Sequence, residues 1–114
     1  MNWKTLDSIT ALDQLQESSH QRPAVIFKHS TRCSISSMVL SRLEGAWDKA
    51  EMEEVDFFFL DLIRHRDVSQ AVANRYGVTH QSPQMLIIRQ GESVFDASHM
   101  SVSYQKLKNQ LAVV

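Results

Sequence analysis

The chain has 114 residues, with 12 Lys and Arg against 13 Asp and Glu, and so carries a formal charge of −1. This length supports a single domain over residues 1–114 with a radius of gyration of about 13 Å, and the near-neutral charge excludes the basic footprint of nucleic-acid binding. No apolar run approaches the ~20 residues that span a bilayer, and the first residues lack a signal-peptide pattern, so we expect a cytoplasmic protein with no membrane partner.

The first part of the chain alternates strand and helix patterns. A short strand is predicted at Trp3–Leu6, followed by a helix with Thr10 as its N-cap and Asp13 as a weak capping-box acid. That helix should end by Ser19. The apolar run Ala24–Lys28 then predicts a strand buried on both faces of a sheet.

The middle of the chain holds the strongest helix pattern. From Ser34 to about Ala50, apolar residues recur at helical spacing, at Ile35, Met38, Val39, Leu43, Ala46 and Trp47. The aromatic and β-branched segment Val55–Ile63 predicts a second central strand, and we expect Asp67 to cap the helix after it. Gly77 stands where a helix takes its left-handed C-terminal residue.

The last part predicts a hairpin and a closing helix. Gln84–Arg89 and Glu92–Ala97 are strand patterns joined by a tight turn at Gln90–Gly91. A helix should follow from about Ser101, with apolar residues at Val102, Leu107, Leu111 and Val114. The order β-α-β-α-β-α-β-β-α predicts an α/β fold, with a mixed central sheet flanked by helices on both faces.

Cys33 is the chain's one cysteine, so no intrachain disulfide and no zinc site of several cysteines can form. It follows the strand that ends near Lys28 and directly precedes the strongest helix. The N–H groups of a helix N-terminus favour the thiolate, and positive charge on Arg32, Lys28 and a protonated His29 acts in the same direction. Because the thiolate is the form that attacks disulfides, we interpret Cys33 as a reactive thiol. The alternative is a buried cysteine that packs as a small hydrophobe.

Two further features bear on this chemistry. Ser36 stands three residues after Cys33, where a dithiol oxidoreductase carries its resolving cysteine. Its hydroxyl and N–H are expected near the sulfur, or else Ser36 only satisfies a helix N–H group. Any mixed disulfide on Cys33 must then be released by an outside thiol. The frequency of X–Pro bonds alone favours a trans Ser82–Pro83 bond, since only ~5–6% are cis, and the scattered histidines and acids predict no metal site.

The arrangement resembles the thioredoxin-like superfamily. A strand leads into a cysteine at a helix start, and Cys33-Ser34-Ile35-Ser36 takes the place of Cys-x-x-Cys. The segment that begins Tyr76-Gly77-Val78 and continues through Pro83 to Gly91 is similar to the Tyr-Gly-Ile…Pro-Thr…Gly of thioredoxins. More narrowly, Phe27–Ser36 (FKHSTRCSIS) resembles the bacillithiol system protein YtxJ family, the monothiol bacilliredoxins, whose motif has Pro where this chain has Ser34.

The resemblance implies a thioredoxin fold with Pro83 in cis and facing Cys33, and a Ser82 backbone able to pair with an extended substrate. It also implies an enzyme, a monothiol thiol–disulfide oxidoreductase. Cys33 would remove bacillithiol from S-thiolated proteins, and a free low-molecular-weight thiol would regenerate it. Bacillithiol is then a co-substrate and no cofactor is expected; the oligomeric state stays open. The implied catalytic residues are Cys33 and Ser36, and the implied substrate contacts are Arg32, Ser34, Ser82 and Pro83.

Two other functions are compatible with these residues. Ser30-x-x-Cys33 superficially matches the Thr-x-x-Cys pattern of one-cysteine thiol peroxidases, and rapid oxidation of Cys33 by peroxide would favour that class. A redox-inert thioredoxin-like binding module, in which the Ser82–Pro83 edge recruits extended peptides, is the more serious alternative. Loss of the second cysteine can also accompany loss of activity.

Overall fold

A computed structural model describes residues 3–112, which form one five-stranded sheet covered by two helices on each face. The order of elements is the predicted one, with a 3₁₀ turn added before the last helix. The strands are β1 (Lys4–Thr5), β2 (Ala24–His29), β3 (Asp56–Asp61), β4 (Gln84–Arg89) and β5 (Glu92–Ser98). The helices are α1 (Ile9–Ser18), α2 (Ser34–Ala46), α3 (Arg66–Tyr76) and α4 (Tyr104–Leu111).

The sheet is mixed, with the strand order β1-β3-β2-β4-β5. The pairs β1–β3 and β3–β2 are parallel, whereas β4 runs antiparallel to both β2 and β5. Near the end of β2, Lys28 lies opposite Leu60 on β3 and Gln84 on β4. Because β2 and β3 end where β4 begins, the loops after β2 and β3 and the loop before β4 meet at one edge of the sheet.

Each face of the sheet has its own apolar core. Ile26 and Leu86 belong to the core under α1 and α3, whereas Phe27 and Met85 belong to the core under α2 and α4. Successive side chains of a strand point to opposite faces, so the alternation continues past the apolar run of β2. Lys28 therefore lies on the α1/α3 side of the sheet and His29 on the α2/α4 side.

The starts of two helices differ from the prediction. Ser8, not Thr10, is the N-cap of α1, and its hydroxyl accepts a hydrogen bond from the Ala11 N–H at 3.0 Å. Both residues are types that favour caps, and the earlier one prevails because the helical geometry extends back to Ile9. Asp67 lies in the first turn of α3 rather than at its cap, where its charge still suits the positive end of the helix.

The helix α2 is shorter than predicted, and a different face of it is buried. α2 ends at Ala46 rather than near Ala50, because the next residue, Trp47, leaves helical geometry and its ring packs edge-on against Phe57. Ile35 and Met38, predicted on the apolar face, are 42% and 38% exposed. The fully buried face consists of Ser36, Val39 and Leu43.

The predicted turns form, and the last helix starts later than predicted. Gly77 closes α3 with φ of 64°, and Gln90 and Gly91 have φ of 53° and 78°, the two positive values that a two-residue hairpin turn requires. The segment predicted as one helix from Ser101 is the 3₁₀ turn followed by α4, whose N-cap is Ser103. Val114, assigned to that helix from its spacing, lies outside the described residues. No helix within residues 3–112 has the length and apolar character needed to cross a membrane.

Candidate active site

Cys33 lies at the edge of the sheet where β2 and β3 end and β4 begins. A short loop joins β2 to α2, and the Cys33 N–H donates to the Ser30 carbonyl at 3.2 Å. Cys33 is the N-cap of α2, but its side chain makes no capping hydrogen bond. The residue is a partly exposed free cysteine, unlike the fully buried side chains of the core. Cys33 therefore stands at the positive end of the helix dipole, and the residue is partly accessible to a reactant.

Ser36 is fully buried in the first turn of α2. Its Oγ lies 2.7 Å from His29 Nδ1 and accepts a hydrogen bond from the Ser30 N–H at 3.2 Å. The hydroxyl thus makes its hydrogen bonds with the loop that precedes Cys33, and none to the sulfur is found within residues 3–112. Its contacts hold the helix start against the end of β2.

His29 is neutral in this arrangement. Because Ser36 Oγ accepts from the Ser30 N–H, its own proton is available to donate to His29 Nδ1, and we assign the neutral ring on that basis. Burial lowers the pKa of His29 below its ordinary value, against the opposing influence of Asp61 and Glu44. The expected positive charge of a protonated His29 beside Cys33 is therefore absent near neutral pH.

Lys28 also differs from its expected role, because it lies on the opposite face of the sheet from α2. Its Nζ donates to the Ser69 carbonyl of α3 at 3.2 Å and lies 3.2 Å from His80 Nδ1. Of the three cations expected to favour the thiolate, Arg32 alone is an exposed residue in the loop next to Cys33. Ser34, the first residue of α2, is exposed on the other side of Cys33.

The Ser82–Pro83 bond is cis. The trans bond favoured by frequency is wrong, and the cis bond implied by the resemblance is confirmed. The Pro83 carbonyl accepts from the His99 N–H at 2.8 Å, whereas neither the N–H nor the carbonyl of Ser82 makes a main-chain hydrogen bond within residues 3–112. Since Gln84 pairs with Lys28, this turn lies at the same edge of the sheet as Cys33.

Sequence reasoning missed two groups around this edge. Ile35 and Met38 form an exposed apolar stripe on α2 beside Cys33, which helical spacing alone had assigned to the core. On the other face of the sheet is a polar cluster of four side chains, Lys28, Ser69, His80 and Gln84. The available signals for it were a lysine in an apolar strand and a glutamine at the start of another strand.

Within the described chain, no three His, Cys, Asp or Glu side chains are grouped as metal ligands.

Solved structures with thioredoxin folds resemble this chain along nearly its whole length. A candidate oxidoreductase with a thioredoxin fold is 26% identical, with a TM-score of 0.80 over 93% of this chain and 90% of its own. Fasciola hepatica thioredoxin is 21% identical, with a TM-score of 0.72 over 95% of both chains. Malassezia sympodialis thioredoxin is 16% identical, with a TM-score of 0.76 over 96% of this chain and 88% of its own. The fold is therefore the thioredoxin fold.

Within that fold class, the sequence matches the family Monothiol bacilliredoxin BrxC over residues 4–107. The match extends from β1 into α4 and includes the whole of the Cys33 edge. The chain belongs to this family, and its single cysteine fits the monothiol description. It is thus a thioredoxin-fold thiol oxidoreductase.

Proposed function

We propose that this protein is a monothiol thiol–disulfide oxidoreductase that removes bacillithiol from S-thiolated proteins through Cys33. The observation that carries the proposal is the partly exposed Cys33 at the start of α2, with a buried serine, Ser36, at the position of a resolving cysteine. One thiol can accept a mixed disulfide but cannot release it within the chain. The choice of bacillithiol rests on the family match and on the resemblance of the segment FKHSTRCSIS.

The reaction then has two exchange steps. The Cys33 thiolate attacks the bacillithiol sulfur of the protein mixed disulfide, forms a new S–S bond with it, and releases the protein thiolate, which takes a proton from solvent. A bacillithiol thiolate next attacks the sulfur of the bound bacillithiol, forms bacillithiol disulfide, and releases the Cys33 thiolate. Each step breaks one S–S bond and forms another, so no outside oxidant is required. A reduced Cys33 is needed at the start, which suits the cytoplasm.

The residues around Cys33 supply the substrate contacts in this proposal. The free N–H and carbonyl of Ser82 are suited to pair with an extended segment of the protein substrate, as a strand adds to a sheet edge. Pro83 fixes the place of that segment at the edge of the sheet. Arg32 and Ser34 are the exposed polar residues on either side of Cys33 in the sequence, and in this proposal they contact the bacillithiol moiety.

Intact mass spectrometry tests the first step directly. The purified, reduced protein is mixed with a bacillithiol-capped test protein, and we expect one bacillithiol-sized mass increase on Cys33 with an equal loss from the donor. Addition of free bacillithiol should then return Cys33 to its reduced mass and yield bacillithiol disulfide. Cys33→Ser should show neither mass change, because the nucleophile is absent.

Ser37→Ala, on the exposed side of the same helix turn, is the matched control and should transfer at the wild-type rate. An unmodified Cys33 with an intact donor would overturn the proposal in favour of a redox-inert binding module. Rapid conversion of Cys33 to sulfenic acid by low peroxide, without transfer, would point to a thiol peroxidase. Transfer retained in Cys33→Ser would contradict the assignment of the nucleophile.

A further inference from the structure

A polar cluster lies behind the Ser82–Pro83 turn, on the face of the sheet away from α2. Its centre is Lys28, whose side chain is fully buried at the end of β2. Lys28 Nζ donates to the Ser69 carbonyl at 3.2 Å and lies 3.2 Å from His80 Nδ1. Ser69 Oγ is 3.3 Å from the same ring nitrogen. Within residues 3–112, no carboxylate pairs with Lys28.

The protonation states of Lys28 and His80 are compatible with a hydrogen bond between Nζ and Nδ1. Burial lowers the pKa of Lys28 to about 8, so near neutral pH the ammonium is still mostly charged and donates. Partial burial, and then the charge of Lys28, lower the pKa of His80, so its ring is neutral and Nδ1 accepts. A buried ammonium with no counter-ion is costly in free energy, and its presence at this position calls for a compensating role.

Gln84 contacts the same loop from the neighbouring strand. It lies opposite Lys28 in the β2–β4 register and is 1% exposed. Its Nε2 donates to the Thr79 carbonyl at 3.0 Å. The two side chains of one cross-strand pair therefore hold two consecutive residues, Thr79 and His80, of the loop that leads from α3 into the Ser82–Pro83 turn.

We propose that Lys28 and Gln84 are positioning residues that anchor this loop, through His80 and Thr79, so that the Ser82 main chain faces a protein substrate in the right place. Ser82 makes no main-chain hydrogen bond of its own within the described residues, so its direction depends on the anchors on either side of it. These are the contacts of Thr79 and His80 before it and the Pro83 carbonyl, bound by the His99 N–H, after it. The consequence for catalysis rests on the proposed function. A protein donor needs the Ser82 main chain, whereas a small disulfide reacts at Cys33 without it.

The test compares a bacillithiol-capped test protein with bacillithiol disulfide as donors. We expect Lys28→Met to raise KM for the protein donor about tenfold and to leave kcat for that donor within about twofold. The single-turnover rate at which bacillithiol disulfide modifies Cys33 should also stay within about twofold, because the loop is misplaced and the sulfur is not. His80→Ala should also raise this KM, and the effect of the double variant should be smaller than the sum of the two single effects, because both single variants remove the Lys28–His80 contact. Lys28→Arg keeps a charged donor and should restore most of the affinity.

Backbone ¹⁵N order parameters by NMR over Thr79–Ser82 measure the anchor without any transfer reaction. Lys28→Met should lower the order parameters there, whereas Lys49→Met, an exposed lysine beyond the far end of α2, should not. An unchanged KM for the protein donor, an equal loss with both donors, or additive effects in the double variant would each overturn the proposal. If the wild-type protein transfers from neither donor, the proposed function fails, and the order parameters alone decide whether the anchor exists.

Discussion

At the scale of single residues, Ser36 stands at the position of a resolving cysteine and hydrogen-bonds the loop before Cys33. Ser36→Ala would leave the Ser30 N–H and His29 Nδ1 without their partner in a buried place. We expect a loss of about 1–2 kcal/mol in the free energy of unfolding. Transfer should remain within several-fold of wild type, since the hydroxyl makes its hydrogen bonds to Ser30 and His29 and not to the sulfur within the described residues. Urea unfolding and the mass-based transfer rate measure the two effects separately.

Ser37→Ala is the control for this prediction, because Ser37 is exposed in the same turn and its hydroxyl makes no hydrogen bond within residues 3–112. Its unfolding free energy should change by no more than ~0.5 kcal/mol. If Ser36→Ala instead abolished transfer and left stability unchanged, the hydroxyl would act on the sulfur during the reaction. That result would return Ser36 to the catalytic role implied by its spacing from Cys33.

At the scale of elements, the two glycines of the helical regions make a matched pair. Gly77 ends α3 with φ of 64°, and an added Cβ would meet nothing within 4 Å. Gly77→Ala should therefore lower the free energy of unfolding by about 1 kcal/mol through backbone strain alone. Gly45 lies within α2 and its Cβ position is equally open, so Gly45→Ala should raise stability by ~0.5 kcal/mol.

Chemical denaturation of the wild type, Gly77→Ala and Gly45→Ala measures this contrast in the free energy of unfolding. The comparison requires equal transition slopes for the three proteins, because the slope reports the surface exposed on unfolding. A stabilising Gly77→Ala would mean that α3 continues past Tyr76 without its left-handed residue. A destabilising Gly45→Ala would mean that the last turn of α2 needs the conformational freedom of glycine.

Secondary-structure elements could be predicted from the sequence where their own residues determine the conformation. Gln84–Arg89 and the Gln90–Gly91 turn match the prediction, because an apolar run and a glycine turn specify a hairpin without reference to distant residues. The face of α2 was not predictable in the same way. Ile35 and Met38 have core-type side chains, but the sheet selects Val39 and Leu43, and position 36 is buried through contacts with His29 and Ser30.

At the scale of the whole molecule, the site is a consequence of the mixed sheet. Cys33, the cis Pro83 and the loop after β3 come together only because β4 runs antiparallel beside β2. Sequence reasoning singled out Cys33 and Ser36 from local spacing, and the resemblance implied the cis bond before Pro83 that the structure has. The catalytic roles of Cys33 and Ser36 stay predictions. Sequence reasoning counted Lys28 among the charges that act on Cys33, and this was wrong. The face of the sheet that a strand residue occupies depends on the layers packed against it, and the partners of Lys28, Ser69 and His80, are 41 and 52 residues away in the sequence.

The stability of the whole protein should depend on pH through Lys28 in a way that also bears on its role. Below pH 8 the folded and unfolded states both bind this proton, and the folded state carries the full cost of burying it. Burial lowers the folded-state pKa from 10.5 to about 8, so as pH rises through that range the folded state releases the proton while the unfolded state keeps it. The free energy of unfolding of the wild type should therefore rise with pH above 8.

Lys28→Met should accordingly be more stable than wild type at pH 7, by at least about 1 kcal/mol, and this advantage should shrink between pH 8 and 9.5. Urea unfolding at several pH values measures the difference, with Lys49→Met as the control for loss of one positive charge. A Lys28→Met variant that is less stable by the same amount at every pH would mean that the hydrogen bonds to Ser69 and His80 outweigh the cost of burial. A more stable variant with a raised KM for protein donors would mean that the fold keeps an unfavourable lysine because the substrate-binding loop requires it.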